Sequence, residues 1–310
     1  MLLALLATFT AAAQPAETAA AATLLFEIKA LGGNAYAVID KPDSMRLANA
    51  GFVIGDDGVA VIDTLVEPAA ARQLLGQIRA LTPLPIKYVI NTHYHLDHVA
   101  GNAVFAEAGA LIIAHRNVRE WVHTENLKFF GQDIKPEQKS LVENLVPPAL
   151  VYDTDLDLFL GSRRIHVQAY PGHTGGDSVV SVPDARVVFC GDLFWHRTIP
   201  NLIDASTQVW VSTVQQLALE SPGAVFVPGH GEVGKAADVD AFGRYLIDLR
   251  TLVQTRAQRG AAGTSLTDAV LPELKQRYGE WNFFDYFATR NILDTASELA
   301  GTKRVPRPRS

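Results

Sequence analysis

Cysteine is nearly missing from this chain: Cys190 stands alone among 310 residues, so no intramolecular disulfide can form and a small disulfide-stapled scaffold is excluded. An excess of positive charge is missing as well. Twenty-seven Lys and Arg against 33 Asp and Glu leave a net charge of −6, which argues against a nucleic-acid binder with its basic patch or stripe. No apolar run reaches the roughly 20 residues a membrane-spanning helix needs. With 48% hydrophobic and only 19% charged residues, the chain is not a disordered one, and its 23 Gly show no collagenous repeat. No repeat at a solenoid period is visible. What remains is one large globular domain, or a domain with an extension. The histidines are the residues to follow: there are nine, and their placement decides the reading.

The one sustained apolar run is at the N-terminus. Residues 1–13 (MLLALLATFTAAA) end in an Ala-x-Ala pattern, Ala11 to Ala13, and Gln14, Pro15 and Glu17 then break the run. This looks like the h-region and cleavage site of a secretory signal peptide, although no Lys or Arg precedes it. Residues 1–22 are therefore expected to be signal peptide and leader, and the mature protein to be periplasmic or secreted. A lipoprotein is excluded, because the lipid-bearing cysteine is missing.

Short β-branched or aromatic runs punctuated by Gly, Asn or Asp predict strands at 24–30, 34–40, 50–55, 59–63 and 86–91. Thr64 is placed to cap a helix with Pro68 in its first turn, and Ala71, Leu74, Leu75, Ile78 and Leu81 keep a helical period. Helices are expected at 99–108 and 117–128 around a strand at 111–114, followed by a polar connection over 131–148. Strands resume at 156–160, 164–169, 178–182, 186–190 and 224–227, with a helix at 207–219. Beyond residue 236 only helical signals remain, at 239–257, 266–278 and 287–299. The order suggests two sheets sandwiched between helical layers, a main domain over 23–235 and a C-terminal helical extension over 236–310.

The chemistry is concentrated in His93-Tyr94-His95-Leu96-Asp97-His98, which follows an apolar strand and precedes a helix. Imidazoles and a carboxylate bunched this closely are costly without a cation, since any protonated His repels the others. A divalent metal removes that cost. Zinc suits the donor set best, with iron or manganese as alternatives. Three more polar residues sit beside glycines at strand ends: His173 in Pro171-Gly172-His173, Asp192 in Cys190-Gly191-Asp192, and His230 in Pro228-Gly229-His230. Taken singly, each is an ordinary turn. Together they supply five His and two Asp, enough for two metal ions sharing a carboxylate.

The pattern His93-x-His95-x-Asp97-His98, followed in order by His173, Asp192 and His230, resembles the metallo-β-lactamase superfamily over roughly residues 24–235. The resemblance implies an αββα sandwich of the α/β (α+β) class with metals at one edge between the sheets. It also implies that His93, His95 and His173 hold one zinc ion, that Asp97, His98 and His230 hold a second, and that Asp192 bridges them. Asp63, at the end of an earlier strand, takes the place of an acid that orients a ligand imidazole. The expected reaction is attack of a metal-bridging hydroxide on a lactam, lactone, ester or thioester carbonyl of a small molecule, with Asp97 orienting the nucleophile.

Several features bear on which carbonyl. β-Lactamases of the commonest dinuclear subclass carry a metal-binding Cys at the place of Asp192 and a Lys three residues later; here that residue is Trp195, with His196 and Arg197 as substitutes for the cation. An Asp bridge is instead the pattern of lactonases and thioesterases. Flavodiiron oxygen reductases put Glu at the place of His95, and nuclease branches carry an inserted domain or a basic exosite. A non-catalytic metal-binding descendant is expected to have lost donors, and all seven are here. Trp121, Phe129 and Phe130 are candidates for an apolar flap. The cluster Trp281, Phe283, Phe284, Tyr286 and Phe287 reads as packing against the sandwich or a second subunit, so the C-terminal helices are the candidate surface for a homo-oligomer.

Overall fold

The computed structural model describes residues 23–41, 48–131 and 134–307; the expected signal peptide and leader lie outside the described residues. Sequence alternation builds the first sheet. Strands β1 (Phe26–Gly32), β2 (Ala35–Asp40), β3 (Ala50–Ile54) and β4 (Val59–Ile62) form an antiparallel meander. Strands β5 (Ile86–Asn91), β6 (Leu111–His115) and β7 (Leu150–Tyr152) then join in parallel. The second sheet runs in the order β12 (Val225–His230), β11 (Val187–Trp195), β10 (Ser178–Val182), β9 (Arg163–Ala169), β8 (Asp155–Leu160).

The period of two decides which core each side chain joins. In β4, Ala60 and Ile62 face the second sheet, whereas Val59 and Val61 face outward. In β11, Val187 and Phe189 fill the space between the sheets while Val188 and Cys190 face the other way. Both faces are covered, so these strands read as unbroken apolar runs. Helices α1 (Pro68–Leu81) and α3 (Asn102–Glu107) cover the outer face of the first sheet. Helices α7 (Thr207–Glu220), α8 (Ala236–Gln258), α9 (Gly263–Tyr278) and α10 (Phe284–Leu299) share one core with β11 over the outer face of the second. The architecture is the expected αββα sandwich with C-terminal helices. None of the described helices is long and apolar enough to cross a membrane.

Some local expectations shift. The helix expected at 99–108 is two: α2 (Leu96–Val99) and α3, separated at Gly101, where a Cβ would run into the Thr64 carbonyl and Ala71. The helix expected at 117–128 is also two, α4 (Arg116–Trp121) and α5 (Thr124–Phe130), and at the break the His123 ring bonds Leu145 O at 3.0 Å. Thr64 does not cap α1, whose N-cap is Glu67; its hydroxyl is spent on Asn102 and the His98 carbonyl. Leu81, at the last position of α1, is 52% exposed, beyond the reach of the core. The polar stretch after Gly131 contains α6 (Pro136–Glu143), which buries only Val142. Strand β11 continues past Cys190 to Trp195, and that extension carries Asp192 into place.

Candidate metal centre

Four chain segments deliver polar side chains to one edge of the sandwich. His93 and His95 follow β5, Asp97 and His98 lie in α2, His173 follows β9, Asp192 lies in β11, and His230 ends β12. The structure brings all seven together. His173 Nε2 is 2.9 Å from His95 Nδ1 and 3.1 Å from Asp192 Oδ2, and His93 Nε2 is 3.6 Å from that oxygen. The other Asp192 oxygen, Oδ1, is 3.1 Å from His98 Nε2 and 3.5 Å from His230 Nε2, and Asp97 Oδ2 is 3.3 Å from His230 Nε2. The donors of His93, His95, His173 and Asp192 all lie within 4.8 Å of one another, as do those of Asp97, His98 and His230. Asp192 therefore turns one oxygen to each group.

The donor set fits a divalent cation. Ligands about 2.0–2.2 Å from a tetrahedral zinc stand roughly 3.3–3.5 Å apart, close to the spacings here. Nε2 of His93, His98 and His230 and Oδ1 of Asp192 are buried with no hydrogen-bond partner. Such atoms are costly to bury unless something binds them. The electrostatics point the same way. Burial pushes His93 well below the ordinary imidazole range. Burial also works against a charge on His98, but the carboxylates of Asp192, Asp63 and Asp97 outweigh it and hold that ring well above its ordinary value. For Asp97, burial is likewise outweighed, by His98 and His230, and its carboxyl falls to about 2. A site that draws positive charge this strongly draws a metal cation by the same field.

Hydrogen bonds behind the donors fix which ring nitrogen faces inward. Asp63 accepts from His98 Nδ1 at 2.8 Å, from the Thr92 hydroxyl at 2.7 Å and from the Thr92 amide at 2.8 Å. Thr92 Oγ1, its proton given to Asp63, lies 3.1 Å from His93 Nδ1 and can accept from it. Both rings then present a bare Nε2. Asp204 Oδ2 accepts from His95 Nε2 at 3.2 Å and from the Tyr94 hydroxyl at 2.5 Å, which turns Nδ1 of His95 inward. Asp177 takes the Thr174 amide and hydroxyl at 2.7 and 2.5 Å, bracing the turn next to His173; burial pushes its carboxyl up to about 7. Asn49 donates to the carbonyls of Pro228 and Gly231 on either side of His230. Gly229 must be glycine, since a Cβ there would collide with Asp192 Oδ1.

Asp63 was legible in the sequence as a strand-end acid; Asp204, Asp177 and Asn49 were not. Asp177 had a weak signal, four residues past His173 in the same Gly-rich turn, whereas Asp204 and Asn49 had none. Replacing Asp63 or Asp204 by asparagine is expected to weaken metal binding by about 10–100-fold each, the usual cost of losing a partner behind a ligand. Competition against a chromogenic chelator measures this, and unchanged affinity in both variants would remove the positioning role.

A cavity of about 500 Å³ opens in front of the donors, with Asp97, Asp192, His95 and His230 in its wall. Trp195 also lines it, stacked on the His230 ring at 4.0 Å. His196 and Arg197 do not line it. His196 Nδ1 bonds the Glu232 carbonyl at 2.7 Å, and Arg197 lies in a neighbouring cavity. Cys190 is buried in the core away from the donors, and burial pushes its thiol up. Of the candidate flap, Phe129 and Phe130 line the cavity, while Trp121 is buried against Tyr94. The C-terminal aromatic cluster divides. Phe284 joins the core as expected of packing residues, but Phe283, Tyr286 and Phe287 line the cavity.

Comparison with known proteins agrees with this geometry. The sequence profile described as "Metallo-beta-lactamase superfamily" matches residues 45–230. A hydroxyacylglutathione hydrolase of Brucella anthropi is 31% identical over 188 residues, covering 60% of this chain and 62% of that protein. The match thus spans less than two thirds of that relative's length. A Bacillus subtilis protein named "Probable metallo-hydrolase YqgX" is 26% identical over 188 residues, 59% of this chain and 85% of its own. A solved metallo-beta-lactamase from Pontibacter korlensis superposes with a TM-score of 0.60 at 22% identity, covering 72% of this chain and 99% of its own, which is a likeness of fold.

Proposed function

The chain belongs to the metallo-beta-lactamase superfamily, and from that membership we propose that it is a zinc-dependent hydrolase of a small carbonyl substrate, with a lactone, ester or thioester ahead of a β-lactam. The observation that carries the reading is Asp192, whose two oxygens face two separate groups of imidazoles. His93, His95 and His173 would hold one ion, Asp97, His98 and His230 a second, and Asp192 would lie between them. A divalent metal bound there supplies Lewis-acid polarisation of a carbonyl and lowers the pKa of water toward neutrality.

The rest belongs to the chain's own residues. Asp97, whose side chain is 31% exposed, is the donor carboxylate most open to the cavity and is placed to accept a hydrogen bond from an attacking water and orient it. Asp63 and Asp204 keep the imidazoles in one tautomer through turnover. Trp195 and the rings opposite exclude water from the carbonyl. No Ser or Cys nucleophile is among the described residues of the cavity wall.

The order of substrates rests on Trp195. A β-lactam carries a carboxylate that needs a cation near the metals, and no Lys or Arg is among the described residues lining this cavity. The test is a panel of lactone, ester, thioester, penicillin and carbapenem, run with metal-free and zinc-loaded protein and with metal content measured in parallel. Zinc-dependent turnover of at least one carbonyl substrate is expected, with kcat/KM at or above ~10⁴ M⁻¹s⁻¹ for the preferred class. Zinc loading is also expected to stabilise the fold by about 3–4 kcal/mol at saturating metal. A penicillin faster than every ester would reverse the ranking, and no metal-dependent turnover at all would leave a binding protein. Export completes the proposal, supported by residues 1–13; a mature N-terminus at Gln14 in the periplasmic fraction is the expected result.

A further inference from the structure

The cavity in front of the donor cluster has an unusual wall. Phe129 and Phe130 enter from α5, Trp195 from the end of β11, and Phe283, Tyr286 and Phe287 from the start of α10. Neighbouring rings meet edge to face: Phe283 and Phe287 at 5.8 Å, Tyr286 and Phe287 at 4.7 Å, Trp195 and Phe287 at 6.5 Å. The acids in this wall are Asp97 and Asp192, both in the donor cluster. The nearby cations, Lys41 and Arg197, line a second cavity of about 500 Å³, together with Asp40, Glu232 and Glu280. The two cavities share His230 and Phe283 in their walls.

Phe283 is thus a partition between an aromatic lobe and a charged one, and its backbone is held in an expensive shape. Its φ of 61° and ψ of 11° lie in the left-handed region, which a bulky residue adopts only when its surroundings impose it. They do so here. Asn282 N donates to Arg197 O, Ile199 N donates to Asn282 O, and Phe287 N returns to Phe283 O, tying the turn before α10 to the loop after β11. The ring reaches to 6.4 Å from that of His230. An ionised group seated in the aromatic lobe would find no Lys or Arg among the described residues that line it, whereas an uncharged ring would be stacked on several sides.

We propose that the aromatic lobe seats the uncharged aromatic or alicyclic portion of a small carbonyl substrate, and that Phe283, with Tyr286 and Phe287, sets selectivity against substrates ionised at that end. The assignment rests on the hydrolase reading above for its carbonyl, and on the lobe alone for its class of ligand. Phe283, Tyr286 and Phe287 thereby act in specificity, not only in packing.

The test separates the two. Zinc-loaded full-length protein is titrated calorimetrically with naphthalene-2-acetamide and with naphthalene-2-methanesulfonate, which present the same ring system with and without charge. The amide is expected to bind about tenfold tighter or more. Phe283→Ala and Phe287→Ala are each expected to weaken the amide about threefold to tenfold. Tyr286→Lys, at a position 75% exposed and so tolerant of change, is expected to raise affinity for the sulfonate and narrow the gap. The Tyr286→Lys result stands even where removing the Phe283 ring unsettles the turn. Sulfonate binding as tight as the amide, or a gap unmoved by Tyr286→Lys, overturns the proposal. Amide binding through these rings in a protein that hydrolyses no ester, lactone or thioester would overturn the hydrolase reading while the lobe keeps its ligand class.

Discussion

Replacing Asp192 by asparagine is expected to lower kcat/KM by more than ~10²-fold, because partners standing one step behind a ligand already cost 10–100-fold when lost. Asp192 is closer in than any such partner. It is 3% exposed, and its oxygens stand 3.1 Å from His173 Nε2 and 3.1 Å from His98 Nε2. Burial opposes its charge, yet His98, His230, His93 and His173 together hold its carboxyl well below the usual range. Asparagine keeps the shape but removes that charge, and its N–H₂ arm has no lone pair to offer a cation, so only one of the two groups keeps an oxygen donor. The metal content should fall with the activity. A variant that keeps full turnover and the wild-type metal content would refute the shared-carboxylate assignment.

The largest stability effect is expected at Trp210. Trp210→Ala should cost about 3–5 kcal/mol, as for other fully buried tryptophans. In a chain of this size that lowers the thermal midpoint by on the order of 10 °C. Trp210 is 0% exposed on α7 and donates from its indole nitrogen to Leu193 O at 2.9 Å. Its ring lies 5.2 Å from that of His173 and 5.4 Å from that of Phe242, so it supports a metal donor and the C-terminal helices at once. The cavity left behind frees His173 to move, and metal affinity should fall as well. Leu219 on the same helix is 79% exposed, and Leu219→Ala is the control, with a change within about 0.5 kcal/mol. Equal midpoints for Trp210→Ala and wild type, measured without metal, would show that this core does not bear on the sandwich.

Much of the fold was legible because strand and helix periods are local. Val59–Ile62 reads as a strand from four residues, and its unbroken apolar run fits a strand covered on both faces. The donor cluster was legible for a similar reason. His93, His95, Asp97 and His98 lie within six residues, and His173, Asp192 and His230 each sit beside a glycine at a strand end. Helix boundaries were less legible where a distant contact cuts a helix. At the break between α4 and α5 the His123 ring meets Leu145, 22 residues further along, and nothing in residues 117–128 announces that contact.

The sequence alone determined the donor types, their order on strand ends and the αββα layering, since each follows from chemistry or periodicity within a short window. Only the tertiary structure decided what stands behind and in front of the donors. Asp204 reaches Tyr94 and His95 across 110 and 109 positions of chain, and Asn49 reaches Pro228 across 179. Phe283 and Phe287 meet Trp195 and His230 although some 50 to 90 residues separate them. Such encounters leave no period in the sequence, because what fixes them is how two sheets and a helical layer pack, and packing is decided by side chains that are remote along the chain. The metal-binding chemistry was therefore readable from residues, and the surroundings of the donors only from the shape they fold into.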